Sequence, residues 1–235
     1  MVDVLCIVQA RLTSTRLPNK VLLPLGNSEL SILEHVNQRL NQSKCISAVV
    51  FAIPDTPLND KLADFLGEKE IVYFRGSEEN VLERFYQCAS EYKPRLVVRA
   101  TCDNPLVDWQ LIDLLVKNIG QYDYISCKET PLGTSVEVFT YESLRNAYNN
   151  ATMEPQKEHV TPYIQKYGDS FLLAYNGLKY RLTIDEDRDY YVVNTIYKDL
   201  YKGNPIPNRD VYEYLSSHQD IATYNQEVHQ KQIGE

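Results

Sequence analysis

At 235 residues, with 43% hydrophobic and 24% charged residues, the chain has an ordinary globular composition and is long enough for one α/β domain with a full core. No apolar run approaches the roughly 20 residues that span a bilayer, and no signal-peptide pattern precedes the first predicted strand, so a cytoplasmic protein without membrane contact is expected. The formal net charge of −8 excludes a nucleic-acid surface, because a phosphate backbone demands a basic footprint.

In chain order, the apolar run Val4 to Val8 predicts a first strand. Ser31 to Leu40 reads as a helix, with Ile32, Leu33, Val36 and Leu40 at helical spacing and Ser31 or Ser28 as its cap. Ala48 to Ile53 predicts a buried strand stopped by Pro54, Leu58 to Leu66 a helix, and Ile71 to Phe74 a short strand. Val81 to Tyr92 is an amphipathic helix, Leu96 to Ala100 a strand, and Leu111 to Ile119 a helix. Tyr122 to Ser126 and Ser135 to Phe139 read as strands, Tyr141 to Asn149 and Glu158 to Lys166 as helices. Phe171 to Ala174 and Leu182 to Ile184 read as strands. A long helix from Asp187 to Tyr201 and a short one from Arg209 to Ser217 follow. This alternation predicts an α/β fold, a doubly wound, mostly parallel sheet with helices on both faces and a ligand at the carboxyl ends of its strands. Residues 1–223 are expected to form a single domain, and the polar tail 224–235 to be partly disordered. Cys6, Cys45, Cys88, Cys102 and Cys127 are widely spaced with no C-x-x-C pair, which predicts reduced thiols.

The segment Gln9 to Lys20, Q-A-R-L-T-S-T-R-L-P-N-K, follows the first strand directly. Arg11, Arg16 and Lys20 fall within it, separated by small hydroxyl residues. Cations, hydroxyls and backbone N–H groups at the carboxyl end of a first strand predict a polyanion site, a triphosphate being the natural ligand; a solvated turn with scattered charge is the alternative. Asp103 and Asp185 each follow a predicted strand and should reach the same rim. One carboxylate from each of two strand ends suits Mg²⁺, which shares its octahedron with phosphate oxygens and waters. For Asp185 taken alone, a helix N-cap is the competing role.

Gln9 to Leu22 resembles the signature loop of the sugar-activating cytidylyltransferases, in particular the spore-coat polysaccharide biosynthesis branch and the related CMP-3-deoxy-manno-octulosonate synthetases. Asn19 stands where those families carry Gly. Asp103-Asn104-Pro105-Leu106 resembles their G-D-x-P turn, with Cys102 for Gly. Leu182-Thr183-Ile184-Asp185 resembles L-T-V-D, although T-P-E-D is altered to Glu186-Asp187-Arg188-Asp189. The resemblance implies a nucleotide-diphospho-sugar transferase-like fold. It also implies a Mg²⁺-dependent enzyme that transfers CMP from CTP to a sugar, expected to be acidic, and releases pyrophosphate for surface polysaccharide synthesis; a homodimer is implied too. Gln9, Ala10, Arg11, Thr15, Arg16 and Lys20 would hold the nucleotide, with Arg11, Arg16 and Lys20 neutralising the triphosphate and Asp103 and Asp185 holding the metal. Arg75 to Arg84 resembles G-x-x-x-D-V-L-x-R, which implies base contacts from Arg75, Gly76 and Ser77; a helix start capped by Ser77 would explain the same residues. Gly133 to Phe139 resembles G-x-D-V-E-V-F, with Ser135 for Asp, and Glu158 to Tyr163 resembles E-H-V-T-P-Y. These imply a sugar pocket that includes Glu137, Glu158 and His159. Two alternatives stay open: a glycosyltransferase of similar fold, which would normally show an Asp-x-Asp motif, and a non-catalytic nucleotide-binding relative.

Overall fold

The computed structural model describes residues 2–230. Its first half contains β1 (Val4–Gln9), α1 (Ile32–Leu40), β2 (Ala48–Pro54), α2 (Asp60–Glu68), β3 (Tyr73–Gly76), α3 (Val81–Tyr92), β4 (Leu96–Thr101) and α4 (Trp109–Asn118). The second half contains β5 (Tyr124–Lys128), β6 (Glu137–Thr140), α5 (Tyr141–Asn150), α6 (Glu154–His159), α7 (Pro162–Tyr167), β7 (Ser170–Ala174), α8 (Asp187–Leu200), α9 (Asn208–Ser217) and α10 (Gln219–Thr223).

The seven strands form one sheet in the order β3-β2-β1-β4-β6-β5-β7. All neighbours are parallel except that β6 runs against both β4 and β5. Both faces are covered, so strands alternate between two apolar layers rather than between core and solvent. Val4, Cys6 and Val8 of β1 pack with residues of α1, α4 and α8. Leu5 and Ile7 pack with residues of α3, α5 and α7. The chain leaves β1 toward β2 and β3 on one side, and β4 lies on the other. The topological switch point, where such sheets bind ligands, is therefore the crevice between the carboxyl ends of β1 and β4.

Ser31 caps α1 by accepting from Glu34 N at 3.2 Å, and the Glu34 carboxylate returns the bond to Ser31 N at 2.8 Å, so the cap is Ser31 and not Ser28. At the other end Arg39, 1% exposed, donates to Val107 O at 2.8 Å, to Ile206 O at 2.6 Å and to Asn208 Oδ1. Three carbonyl oxygens thus solvate a guanidinium that forms no ion pair among the described residues, and the first helix is tied to the loop before α4 and to α9.

Four expectations are corrected. Leu182 to Ile184 is not a strand: among the described residues it joins no ladder, and an isolated bridge to Leu132 falls on the preceding residue, Arg181. The segment is extended and held by Leu182 N on Leu132 O at 2.7 Å and Ile184 N on Asp103 O at 2.8 Å. Glu158 to Lys166 is two helices, because Pro162 cannot continue a helix and Val160 turns the chain at φ +69°. The third strand starts at Tyr73, two residues later than expected, after Glu70 ends α2 at φ +54°. The cap of α3 is Asn80, which accepts from Glu83 N at 3.0 Å, while Ser77 Oγ accepts from Asn80 N at 3.1 Å. The tail from Tyr224 contributes a buried side chain, Asn225; residues 231–235 lie outside the described residues.

His35 is 1% exposed, with Nε2 3.1 Å from Ser28 Oγ and its ring 4.4 Å from that of Tyr197. Burial pushes its pKa from 6.5 down to about 4, with Glu34 opposing and Arg39 reinforcing the shift. Above pH 6.5 both folded and unfolded chains carry neutral His35. Below it the unfolded chain takes the proton first, so this contribution to stability falls between pH 6.5 and 4. The expected loss by pH 5 is about 2 kcal/mol. Urea midpoints at pH 7 and 5 should show it, and His35→Gln should flatten that part of the curve; an unchanged slope in the variant would refute the assignment.

Candidate active site

The loop after β1 is pinned from below. Leu12, 7% exposed, donates its N–H to the fully buried Asn59 Oδ1 at 3.0 Å and accepts from Asn19 N at 3.3 Å. Asn19 stands at φ 55° and ψ 20°. That left-handed conformation explains why a glycine would serve here and why asparagine, which tolerates it, also does. Cys102 needs no such freedom, since it is absent from the positive-φ residues.

Between these anchors the loop lays its cations on the crevice. Lys20 Nζ donates to Asp103 Oδ2 at 3.3 Å, to Asp185 Oδ1 at 3.1 Å and to Ile184 O at 2.6 Å. Arg16 pairs with Asp185 Oδ1 at 3.0 Å and Glu186 at 3.5 Å. The structure therefore brings together Arg16, Lys20, Asp103 and Asp185 from distant parts of the chain. Each aspartate divides its oxygens. Asp103 Oδ1 accepts from Thr101 Oγ1 at 2.6 Å, and Asp185 Oδ2 accepts from Arg181 Nη2 at 3.0 Å, leaving one oxygen of each turned to Lys20. Burial pushes the Asp103 carboxyl up, but the Lys20 ammonium and the Thr101 hydroxyl outweigh it and hold it below its ordinary value. Two carboxylate oxygens that already converge on one cation are a donor set that fits a divalent ion with waters and phosphate oxygens in its remaining positions.

Arg11 and Thr15 are exposed on the loop, and Ala10 is buried at its root. Arg11 makes no ion pair among the described residues and faces the buried Arg84. Burial, then the Arg11 charge, bring the Arg84 pKa down to about 10. Arg84 Nη1 donates to Ser77 O, and Gly76 is required beside it, since a Cβ there would lie 2.9 Å from Arg84 Cγ. The signal for Arg84 in the sequence is an arginine in the first turn of an otherwise apolar helix face. Arg75 is committed elsewhere, pairing with Asp55 at 2.9 Å and Asp60 at 2.6 Å.

On the opposite side Gln9 Oε1 accepts from Arg99 Nε at 3.1 Å, and Arg99 Nη1 donates to Glu137 Oε2. Glu137 Oε1 accepts from Tyr124 OH at 2.7 Å, Thr161 Oγ1 at 2.7 Å and Gln165 Nε2 at 3.1 Å. Because β6 is antiparallel, Glu137 enters the sheet near the rim, and it ties the turn after His159 to the sheet through Thr161. The side chains of Glu158, which is exposed, and His159, which is half-buried, make no hydrogen bond or ion pair among the described residues. Gly133, at φ +91°, lets its loop lie on the Asp185 segment: a Cβ there would be 2.4 Å from Thr183 N. Cys102 beside Asp103 is unsuited as a nucleophile, since burial, and then the Asp103 charge, push its thiol pKa well up.

A family model described as cytidylyltransferase matches residues 5–232. The chain is 36% identical to an uncharacterised protein of Methanocaldococcus jannaschii, with 97% of each chain covered. It is also 36% identical to the spore coat polysaccharide biosynthesis protein SpsF of Bacillus subtilis, covering 95% of this chain and 98% of the relative. The solved structure of a cytidylyltransferase from Leptospira borgpetersenii superposes with a TM-score of 0.88 at 27% identity, covering 98% of this chain and all of that one.

Proposed function

Since the chain belongs to the cytidylyltransferase family, we propose that it transfers CMP from CTP to a sugar hydroxyl, with release of pyrophosphate, in surface polysaccharide synthesis. The observation that carries this reading is the convergence of Arg16, Lys20, Asp103 and Asp185 at the switch point of the sheet. The sugar hydroxyl attacks the α-phosphorus in line and gives up its proton to solvent, while the bond from the α-phosphorus to the bridging oxygen breaks and that oxygen leaves with pyrophosphate. Such a transfer is chiefly a matter of alignment and of stabilising the charge on pyrophosphate. Arg11, Arg16 and Lys20 neutralise that charge, with Gln9, Ala10 and Thr15 in the same loop and Gly76 and Ser77 on the base side; Arg75, proposed there too, would have to leave Asp55 and Asp60 to reach the base. Asp103 and Asp185 would hold Mg²⁺, which when bound neutralises phosphate charge and draws electron density from the α-phosphate. No protein nucleophile is needed. The acidic character of the sugar rests on the resemblance to CMP-3-deoxy-manno-octulosonate synthesis.

The reading is tested by pyrophosphate release from each of the four nucleoside triphosphates with Mg²⁺ and a panel of acidic and neutral sugars. Release is expected with CTP and an acidic sugar. A preference for another triphosphate would overturn the cytidine assignment, and no release with any pair would reduce the chain to a binding protein.

Glu158 and His159 are proposed on the acceptor side, and Glu137 as their support from the sheet. His159→Ala is expected to raise the acceptor KM about three- to tenfold, the loss of one hydrogen bond, and to leave CTP affinity unchanged. Calorimetry of CTP binding beside a melting curve checks this; weakened CTP binding together with a lowered Tm would remove His159 from the site.

A further inference from the structure

We propose that Arg181, Asp189 and the C-terminal residues Asn225 and Gln230 are positioning residues for Asp185, which makes the chain beyond α10 part of the rim. This rests on the reading of Asp185 as a cation ligand. Asp185 is buried, and its carboxylate is useful at the crevice only in one rotation, with Oδ1 toward Lys20 and Arg16 and Oδ2 away from them. Arg181 sets that rotation. All three of its nitrogens are engaged: Nη2 donates to Asp185 Oδ2 and Asp189 Oδ2, both at 3.0 Å, Nε to Asp189 Oδ1 at 2.8 Å, and Nη1 to Gln230 Oε1 at 2.6 Å. A planar guanidinium with each nitrogen held by an acceptor has little freedom to turn.

Asp189 is wholly buried and also accepts from Asp185 N at 3.0 Å and Glu186 N at 3.2 Å, so it orients both the backbone of Asp185 and the arginine that holds its side chain. Asn225 closes the assembly. It is 1% exposed and donates to Asp189 Oδ1 at 2.9 Å and to Arg181 O at 3.0 Å, while its own Oδ1 accepts nothing among the described residues. An unsatisfied buried oxygen is a cost that an apolar residue filling the same space would avoid. The gain lies in the donor end, which fixes the Arg181–Asp189 pair. Outer partners that hold a carboxylate ligand in this way typically account for 10- to 100-fold in metal affinity.

The test is a titration of the full chain with Mn²⁺, free ion being followed by electron paramagnetic resonance well below the melting temperature, with and without CTP. Asn225→Ala is expected to weaken Mn²⁺ binding about tenfold. Thr140→Ala, which removes the cap of α5 at the far end of β6, is expected to lower the melting temperature without changing Mn²⁺ affinity. Gln230→Ala, an exposed position, is expected to shift affinity in the same direction as Asn225→Ala and carries the test if that variant does not fold. Wild-type affinity in the folded Asn225 variant, or in Gln230→Ala where it stands alone, overturns the positioning role and leaves Asp185 as a ligand. Equal weakening in Thr140→Ala also overturns it. Failure of the unaltered chain to bind Mn²⁺ in either condition overturns the cation reading itself, and this proposal with it.

Discussion

Replacing Lys20 with alanine is expected to lower pyrophosphate release by about three orders of magnitude. A single preorganised donor to a developing charge is worth about 10² to 10³ in rate, and Lys20 is more than a donor. It carries full charge, its side chain is only 11% exposed, and it is the group on which Asp103 and Asp185 converge. Its removal leaves Asp103 without a cation and Asp185 with Arg16 and Arg181, so a melting temperature lower by several degrees is also expected, corresponding to about 2 kcal/mol in a chain of this size. The pH dependence separates this from a general loss of packing. The Asp103 carboxyl is held below its ordinary value, so its contribution is present above the unfolded value of 3.8 and lost as pH falls through the folded one. The variant lacks that contribution, so its stability should approach the wild-type curve in acid. A gap that stays constant down to pH 3, or turnover near the wild-type rate, would refute the assignment.

The second large effect is expected from Asp103→Asn. Asparagine keeps Oδ1 for the Thr101 hydroxyl, so the turn after β4 should survive, but it replaces the oxygen facing Lys20 with an N–H₂ donor. Turnover and its dependence on Mg²⁺ should fall together, by about 10³-fold or more, and the melting temperature should fall as well, since the carboxylate paired with Lys20 is gone. Asp185→Asn should behave alike in turnover and lose more stability, because Lys20, Arg16 and Arg181 all then face an uncharged partner. If Asp185→Asn kept full Mg²⁺-dependent turnover, Asp185 would be left with the role of anchoring the start of α8, and only Asp103 would remain in the site.

Most of the first half of the chain was legible because local signals there coincide with the final structure. Val81 to Tyr92 has the apolar spacing of one buried helix face and ends where expected. The cations of the β1 loop were visible because so much positive charge in one loop of an acidic chain has no packing role. What was not legible is set by non-local contacts. The direction of β6 leaves no mark on its alternation, since both faces of the sheet are covered. The extended segment before Asp185 has a strand's composition but finds a loop and a turn, not a ladder, as partners. Glu137 looked like a ligand-facing residue and is engaged by four side chains from β4, β5 and the α6–α7 region. Asn225 sat in a polar stretch with nothing to distinguish it, because the buried arginine it serves lies 44 residues away.

The span between Lys20 and Asp185 also has a consequence in time. They are 165 residues apart, and a ribosome adding about 5–20 residues per second needs roughly 8–30 seconds to make that stretch. For the first half of that interval the loop after β1 has neither acidic partner, and from the emergence of β4 onward it has Asp103 alone. The nascent chain therefore at first displays a loop with all three cations unpaired, and the finished protein one in which Arg16 and Lys20 are paired. Any polyanion met during synthesis encounters a different surface from the one met afterwards, and the change comes only when the last quarter of the chain has emerged.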